Sequence, residues 1–242
     1  MAFRKNYRRG YPVALLVGLD ENSASIWKVF SNVVKPEKVV YVDGSRNAPK
    51  VLYNFHEAVV NALRPAMREG VKSVVLASPP RANYAFEFLK HLKEHHAWLF
   101  QGTTKAVFAE IVGSAVSVHD VTVLTRGAVF RRIVGETTLE ETENLLGLLE
   151  ERLNSAGSEQ LVLYSLEDIE TALYGLWVAG KPKPEYIALT DTYNSTSRQK
   201  HRLQRLHQIA ANKGVKIRII SSKCVAGNRI SQLGGIICIL KL

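Results

Sequence analysis

Apolar positions follow two different periods along the chain, and the change of period predicts alternating strands and helices. Short runs rich in β-branched residues predict strands at residues 13–17, 39–42 and 71–77. Apolar residues three and four positions apart predict helices over residues 52–63 and 140–153. The first half of the chain therefore has the pattern of a mixed α/β domain.

The C-terminal part repeats this alternation. Ser165 and Asp168 have the spacing of a helix-capping pair, and a second helix is predicted over residues 197–212. Residues 106–112 are also predicted to be helical. The predicted strands are residues 161–164, 186–190, 215–220 and 236–240. Such alternation argues for α/β sandwich domains, and the small polar residues 154–157 are the predicted boundary between two of them.

Net charge says more about the partner of this protein than overall composition does. The 242 residues include 32 Lys and Arg against 22 Asp and Glu, a net charge of +10. This excess predicts a polyanionic partner, with nucleic acid first among the candidates. The apolar runs are far shorter than the roughly 20 residues of a membrane span, so no membrane partner is expected. Cys224 and Cys238 form no ligand cluster, which favours a reduced cytoplasmic location.

Basic residues concentrate in local patches that are candidates for RNA binding. Residues 1–12 have the composition of a flexible basic arm, and a second patch lies on the helix predicted over residues 197–212. The candidates in these patches are Arg4, Lys5, Arg8, Arg9, Arg198, Lys200, Arg202 and Arg205. On one continuous helix, Arg198, Arg202 and Arg205 would share a face, and each phosphate that they neutralise would release counterions. The alternative is an ordinary solvated helix face.

Motifs for catalysis are weak. Gly175–Lys181 has the spacing of a phosphate-binding loop, but Pro182 replaces the hydroxyl residue that would bind magnesium. Asp20 and Asp43 follow predicted strands and are candidates for two-metal phosphodiester hydrolysis, although isolated strand-end acids are usually turn or cap residues. No cofactor is expected.

The histidines do not predict a metal site. His56, His95 and His96 lack partners at ligand spacing, so the residues favour ordinary surface or helix positions. From the residues alone, the chain is predicted to be a basic, two-lobed α/β protein that binds RNA, with no activity identified.

The C-terminal sequence is more specific. Residues 219–241 read IISSKCVAGNRISQLGGIICILK and closely resemble the ending of Pelota and the archaeal and eukaryotic class I release factors. Residues 140–143 before a Leu-rich helix resemble that family's interdomain helix, and residues 163–173, LYSLEDIETAL, resemble the start of its third domain. After the basic arm at residues 1–12, the resemblance implies an RNase H-like central-type domain at 13–157 and a domain similar to kink-turn-binding ribosomal proteins at 158–242.

The sequence departs from the family pattern in two ways. Residues 1–12 leave no room for the family's N-terminal decoding domain, so we expect either a paralogue without that domain or a fragment. The loop that matches the catalytic loop of release factors, residues 43–50, reads DGSRNAPK and has no Gly-Gly-Gln. The only Gly-Gly pair, Gly234 and Gly235, is followed by Ile236. Peptidyl-tRNA hydrolysis by the family's mechanism is therefore not expected.

The resemblance implies a non-catalytic, Pelota-like factor that binds the ribosome in rescue, recycling or dormancy. The arm, Arg46 and Lys50 would contact rRNA or tRNA phosphates, and the C-terminal domain would meet an elongation-factor-type GTPase or the ribosome-recycling ABC ATPase. We expect a monomer. Two alternatives remain open: a metal-dependent RNA endonuclease that uses Asp20 and Asp43, or a simple structured-RNA-binding module that grips a kink-turn through a helix N-terminus at residues 194–198.

Overall fold

A computed structural model describes residues 10–102, 105–155 and 161–241. The described chain divides into two compact units. The first contains residues 10–64, Val71–Gln101 and Ala106–Thr138. The second contains Pro65–Gly70, Gly102, Lys105 and the described residues from Leu139 onward. Each unit has its own β-sheet.

The sheet of the first unit has five strands in the order β3-β2-β1-β4-β5. β1 (Pro12–Leu19), β2 (Ser23–Phe30) and β3 (Val34–Tyr41) form an antiparallel meander. β4 (Ser73–Ser78) pairs in parallel with β1, and β5 (Val107–Val112) pairs in parallel with β4. β4 is buried along its whole length, as expected of a parallel strand that is covered on both faces.

Helices follow the strands of this sheet. α1 spans Pro49–Arg68 and places proline at its first position, where the missing N–H costs no helical hydrogen bond. α2 spans Tyr84–His95 and is followed by a 3-10 turn at Ala97–Phe100. α3 spans Val118–Arg126 and begins with a capping box between Ser117 and Asp120, and α4 spans Ala128–Leu153. Among the described residues, no helix combines the length and the apolar character that crossing a bilayer requires.

The second unit surrounds a four-stranded sheet in the order β6-β9-β7-β8. Its elements, in chain order, are β6 (Val162–Leu163), α5 (Leu166–Tyr174), β7 (Lys183–Thr190), α6 (Asp191–Thr196), α7 (Lys200–Asn212), β8 (Lys216–Ile220), α8 (Val225–Gln232) and β9 (Ile236–Lys241). β7 and β8 are parallel, whereas β9 runs antiparallel to both β6 and β7. α5 and α7 cover one hydrophobic core, and α8 and the C-terminal half of α4 cover the other.

The predicted α/β class with two separate sheets is confirmed, but two local predictions are wrong. Residues 106–112 contain strand β5 and not a helix, because their backbone pairs with β4. The helix predicted from residue 197 begins at Lys200, after Gln199 as its N-cap. The division between the units falls at Leu139, whereas the sequence analysis placed a boundary at residues 154–157. Leu145, Leu148 and Leu149 of α4 pack in the core of the second unit, which accounts for that difference.

Candidate nucleic-acid interface

The predicted RNA-binding residues fall into three groups. Arg4, Lys5, Arg8 and Arg9 lie outside the described residues. Arg46 and Lys50 belong to the first unit, and the remaining four cations belong to the second. Within each unit, exposure and internal partners decide which of these cations is available to an anion.

Arg46 is held inside the first unit. Its Nη1 donates to the backbone oxygen of Asp20 at 3.0 Å, and its Nη2 donates to Oε2 of Glu87 at 3.3 Å. The guanidinium carbon lies 4.1 Å from the ring centroid of Tyr84 and 5.4 Å from that of Phe55. The side chain is only 10% exposed. Arg46 therefore joins the loop after β3 to the turn after β1 and to α2, and a phosphate would have to open these contacts to reach it.

Lys50 is available to solvent. It lies exposed in the first turn of α1, a turn that has no acidic residue. The positive end of a helix dipole attracts anions, and a lysine in that turn adds charge of the same sign. Lys50 thus adds an exposed positive charge at the N-terminus of α1.

The basic residues around α7 are exposed, but two of them have partners within the unit. Nε of Arg202 lies 3.1 Å from each carboxylate oxygen of Glu170 in α5. That hydrogen bonding by Arg202 lowers the pKa of Glu170, although burial raises it. The guanidinium carbon of Arg205 lies 5.3 Å from the ring centroid of Tyr174. Both arginines therefore lie along α5 with their charge still open to solvent.

The expected arrangement of Arg198 is wrong. Residues 194–196 end α6, and residues 197–199 link it to α7, so Arg198 precedes the helix and does not lie on its face. The helix N-terminus that was predicted at residues 194–198 lies at Lys200, after Gln199 as its N-cap. Arg198 and Lys200 are exposed at the start of α7. The structure thus gathers four cations around the N-terminal half of α7, with Arg202 and Arg205 one turn apart.

The two carboxylates predicted for hydrolysis lie in turns. Asp20 follows β1, and its Oδ1 accepts a hydrogen bond from the backbone N–H of Glu21 at 2.9 Å. Asp43 is exposed in the loop after β3. Within the described ranges, neither aspartate belongs to a group of three side chains close enough to share a metal ion. Their geometry matches the turn role that the sequence analysis weighed against hydrolysis.

A cluster that spacing did not reveal lies in the first unit. His96 Nε2 lies 2.7 Å and His91 Nε2 lies 3.0 Å from the same oxygen, Oε1 of Glu57. Burial lowers the pKa of His91, against the opposing effect of its hydrogen bond to Glu57. Burial tends to raise the pKa of Glu57, but the hydrogen bonds from His96 and His91 bring it below its usual value. Spacing along the chain gave no sign of this group, because Glu57 is on α1 and its partners are 34 and 39 positions away.

The chain is similar in sequence to two Pelota homologues. No protein-family model matches the chain. The Pelota homologue of Pyrococcus abyssi is 26% identical over 189 residues, which cover 77% of this chain and 48% of that protein. The Pelota homologue of Pyrococcus horikoshii is 24% identical over the same length, with the same coverage. The resemblance to the Pelota family is confirmed. The chain spans about half the length of the curated relatives that it matches.

Solved structures share the fold. A model of ribosome-bound archaeal Pelota and ABCE1 matches with a TM-score of 0.52 and 19% identity, over 100% of this chain and 65% of that chain. Saccharomyces cerevisiae Dom34, described as a translation termination-like factor, matches with a TM-score of 0.50 and 20% identity, over 99% of this chain and 65% of that chain. The two α/β units therefore have counterparts in Pelota and Dom34.

Proposed function

We propose that this chain acts as a Pelota-like translation factor that binds the ribosome in rescue, recycling or dormancy and does not hydrolyse peptidyl-tRNA. The observation that carries the proposal is the sequence similarity to two Pelota homologues over 189 residues. The net charge of +10 supports it, because ribosomal RNA is a dense polyanion. The proposed domains are those of the sequence analysis, a central-type domain at residues 13–157 and a C-terminal-type domain at 158–242.

The cations around α7 and Lys50 would contact phosphates. Arg198, Lys200 and Arg205 are exposed, so neutralising a phosphate requires no rearrangement of the unit. Arg202 would have to share its guanidinium with Glu170. Phosphate contacts position a protein on folded RNA without reading its sequence, which suits a factor that binds one conserved particle. The arm residues Arg4, Lys5, Arg8 and Arg9 are proposed to add to this surface.

The absence of hydrolysis rests on the loop at residues 43–50. It contains a single glycine, Gly44, and no glutamine, so it lacks the residues with which release factors would position water. Arg46 holds the centre of this loop through Asp20 and Tyr84. A loop tied down in this way suits a binding surface better than one that must enter a catalytic centre.

The proposed partners follow from the relatives. The Dom34 structure is described as that of a factor that interacts with Hbs1, and the archaeal Pelota model is bound to the ribosome together with ABCE1. We extend these two associations to the present chain as contacts with an elongation-factor-type GTPase or with the ribosome-recycling ABC ATPase. The C-terminal unit is the proposed site of contact, and the chain is proposed to act as a monomer.

Co-sedimentation with ribosomes through sucrose gradients tests the proposal. The chain should travel with ribosomes at low salt and remain at the top as salt rises. Replacing Arg198, Lys200 and Arg205 by Gln should weaken binding and reduce the salt slope by about 0.9 for each lost phosphate contact.

The matched control removes the same charge elsewhere. Lys35, Lys38 and Lys93 are exposed on the first unit, and replacing them by Gln should leave ribosome binding within about threefold of the unmodified chain, because charge remote from the interface acts only through screened long-range attraction. Unmodified protein that stays at the top of a low-salt gradient with ribosomes present would refute the proposed function. Equal weakening in both triple variants would refute the role of α7.

A further inference from the structure

Four of the chain's seven histidines lie together in the first unit. His56 is on α1, His91 and His95 are on α2, and His96 follows α2 directly. The ring centroid of His91 lies 4.9 Å from that of His56, 4.8 Å from that of His95 and 5.7 Å from that of His96. Such a concentration of imidazoles around one carboxylate is the composition of a transition-metal site.

The end of α2 places the rings of His91 and His96 against Glu57. α2 ends at His95, and the backbone of His96 leaves the helix with φ −129° while its N–H still donates to the carbonyl of Leu92 at 2.8 Å. The ring of His96 therefore turns back beside that of His91. Both reach Oε1 of Glu57, and the three potential ligand atoms all lie within 4.8 Å of one another.

The distances suit an ion once the side chains rotate. Zinc binds imidazole nitrogen and carboxylate oxygen at about 2.0–2.2 Å, so two ligand atoms on one tetrahedral ion lie about 3.4 Å apart. The two nitrogen–oxygen separations of 2.7 and 3.0 Å would have to widen to about that value. The two imidazole nitrogens, which lie within 4.8 Å of each other, would have to take the same spacing, so binding requires rotations of all three side chains. Hard ions such as magnesium prefer all-oxygen sites, whereas two imidazoles favour zinc, cobalt or nickel.

The carboxylate offers a route of entry to an ion. His91 and His96 are almost completely buried, whereas the side chain of Glu57 is 27% exposed. An ion can therefore approach past the carboxylate, and the two buried imidazoles need only rotate to meet it. In the part of the chain that the structure describes, Nε2 of the buried His56 also has no hydrogen-bond partner, so a further nitrogen lies beside His91.

We propose that Glu57, His91 and His96 bind a divalent transition-metal ion of the zinc class, which ties α1 to the end of α2. Two histidines and one glutamate leave the fourth position of a tetrahedral ion to water or another ligand. In the metal-free site each Nε2–H donates to Glu57. On binding, both nitrogens present lone pairs to the ion, and their protons move to Nδ1 or to solvent. The residues of this site belong to the first unit, whereas α7 belongs to the second.

Titration of the metal-free full chain with zinc chloride alone, followed by calorimetry, tests the proposal. We expect one ion per chain, with cobalt chloride giving the intense visible absorption of a tetrahedral site. His96→Gln should lower zinc affinity at least tenfold. His201→Gln is the matched control, because His201 is exposed on α7 and should leave both the stoichiometry and the affinity unchanged.

Glu57→Gln keeps the proposal testable if His96→Gln does not fold. Its amide oxygen can still accept a hydrogen bond from an imidazole, but the anionic ligand is lost, so zinc affinity should fall at least tenfold in a folded protein. Zinc should also raise the melting temperature of the unmodified chain and not that of Glu57→Gln, since an ion that binds only the folded state stabilises it. Absence of stoichiometric binding, or equal affinity in Glu57→Gln and the unmodified chain, would overturn the proposal.

Discussion

Two arginine–glutamate pairs of the second unit have similar contacts and opposite surroundings. Nη2 of Arg218 in β8 donates to Oε2 of Glu141 in α4 at 2.7 Å, with side chains only 3% and 5% exposed. Arg202 in α7 binds Glu170 in α5, with side chains 43% and 15% exposed. Because water screens the second pair and not the first, distance alone does not rank them. Burial therefore decides how much stability the protein loses when one partner of such a pair is replaced.

The largest expected effect is at the buried pair. Glu141→Gln or Arg218→Met leaves one charge in the core facing a neutral group, and we expect each to lower the free energy of unfolding by about 3–5 kcal/mol. Urea denaturation of both variants measures this. Replacing both residues, with Arg218→Met and Glu141→Leu, should recover much of the loss, because no unpaired charge remains. A single variant that costs less than about 1 kcal/mol would contradict the ranking by burial.

Arg46 in the first unit is an intermediate case between the two pairs. It is 10% exposed and is held by ring faces and a backbone oxygen as well as by Glu87. Arg46→Ala should cost about 1–2 kcal/mol, combining a partly desolvated cation–π contact with a lost charged hydrogen bond. Arg46→Lys should recover only part of this, since an ammonium lacks the planar face that stacks on Tyr84. Equal stability of the Lys variant and the unmodified chain in urea would refute the stacking role.

The exposed pair should contribute least at neutral pH. Arg202→Gln is expected to lower the free energy of unfolding by about 0.2–1 kcal/mol, and 1 M salt should remove most of the difference. A double-mutant cycle with Glu170→Gln isolates the pairwise interaction. A coupling energy above about 2 kcal/mol would place this pair with buried ones and contradict the claim that exposure weakens it.

The same pair predicts a small pH effect. Hydrogen bonding by Arg202 outweighs the opposing effect of burial and places the folded-state pKa of Glu170 below its unfolded value of about 4.5. The stabilisation is therefore fully present above that value and is lost as pH falls through the lower folded-state pKa. Urea unfolding at pH 7 and pH 3 should show a stability difference between the unmodified chain and Glu170→Gln that narrows in acid. A difference that widens in acid would contradict this sign.

Local patterns predicted those elements whose side chains repeat with one clear period. The helix over residues 52–63 lies within α1, and the apolar run at residues 236–240 lies within β9. β5 escaped prediction because six residues, VFAEIV, suit either structure, and pairing with β4 decides between them. The missed α3 has its capping box at Ser117 and Asp120 as the signal that could have found it.

The candidate site was also predictable only in part from the sequence. The basic residues could be identified from the sequence, but their exposure could not. Lys200 is exposed to solvent, whereas the side chain of Arg46 is stacked on Tyr84 inside the first unit. Nothing in the spacing of Glu57, His91 and His96 indicated a shared carboxylate, because the histidines lie 34 and 39 positions from Glu57 and only the tertiary structure brings them together.

The alternation of strands and helices, the excess of positive charge and the resemblance to Pelota could all be predicted from the sequence. Each depends on residues that are close in the chain or on a simple sum of charges. Only the tertiary structure decided which cations face water, which arginine is paired in the core, and which histidines meet one glutamate. Those outcomes depend on contacts between segments that are distant in sequence and on the water that their packing excludes. Local sequence patterns predict neither the contacts nor the loss of water.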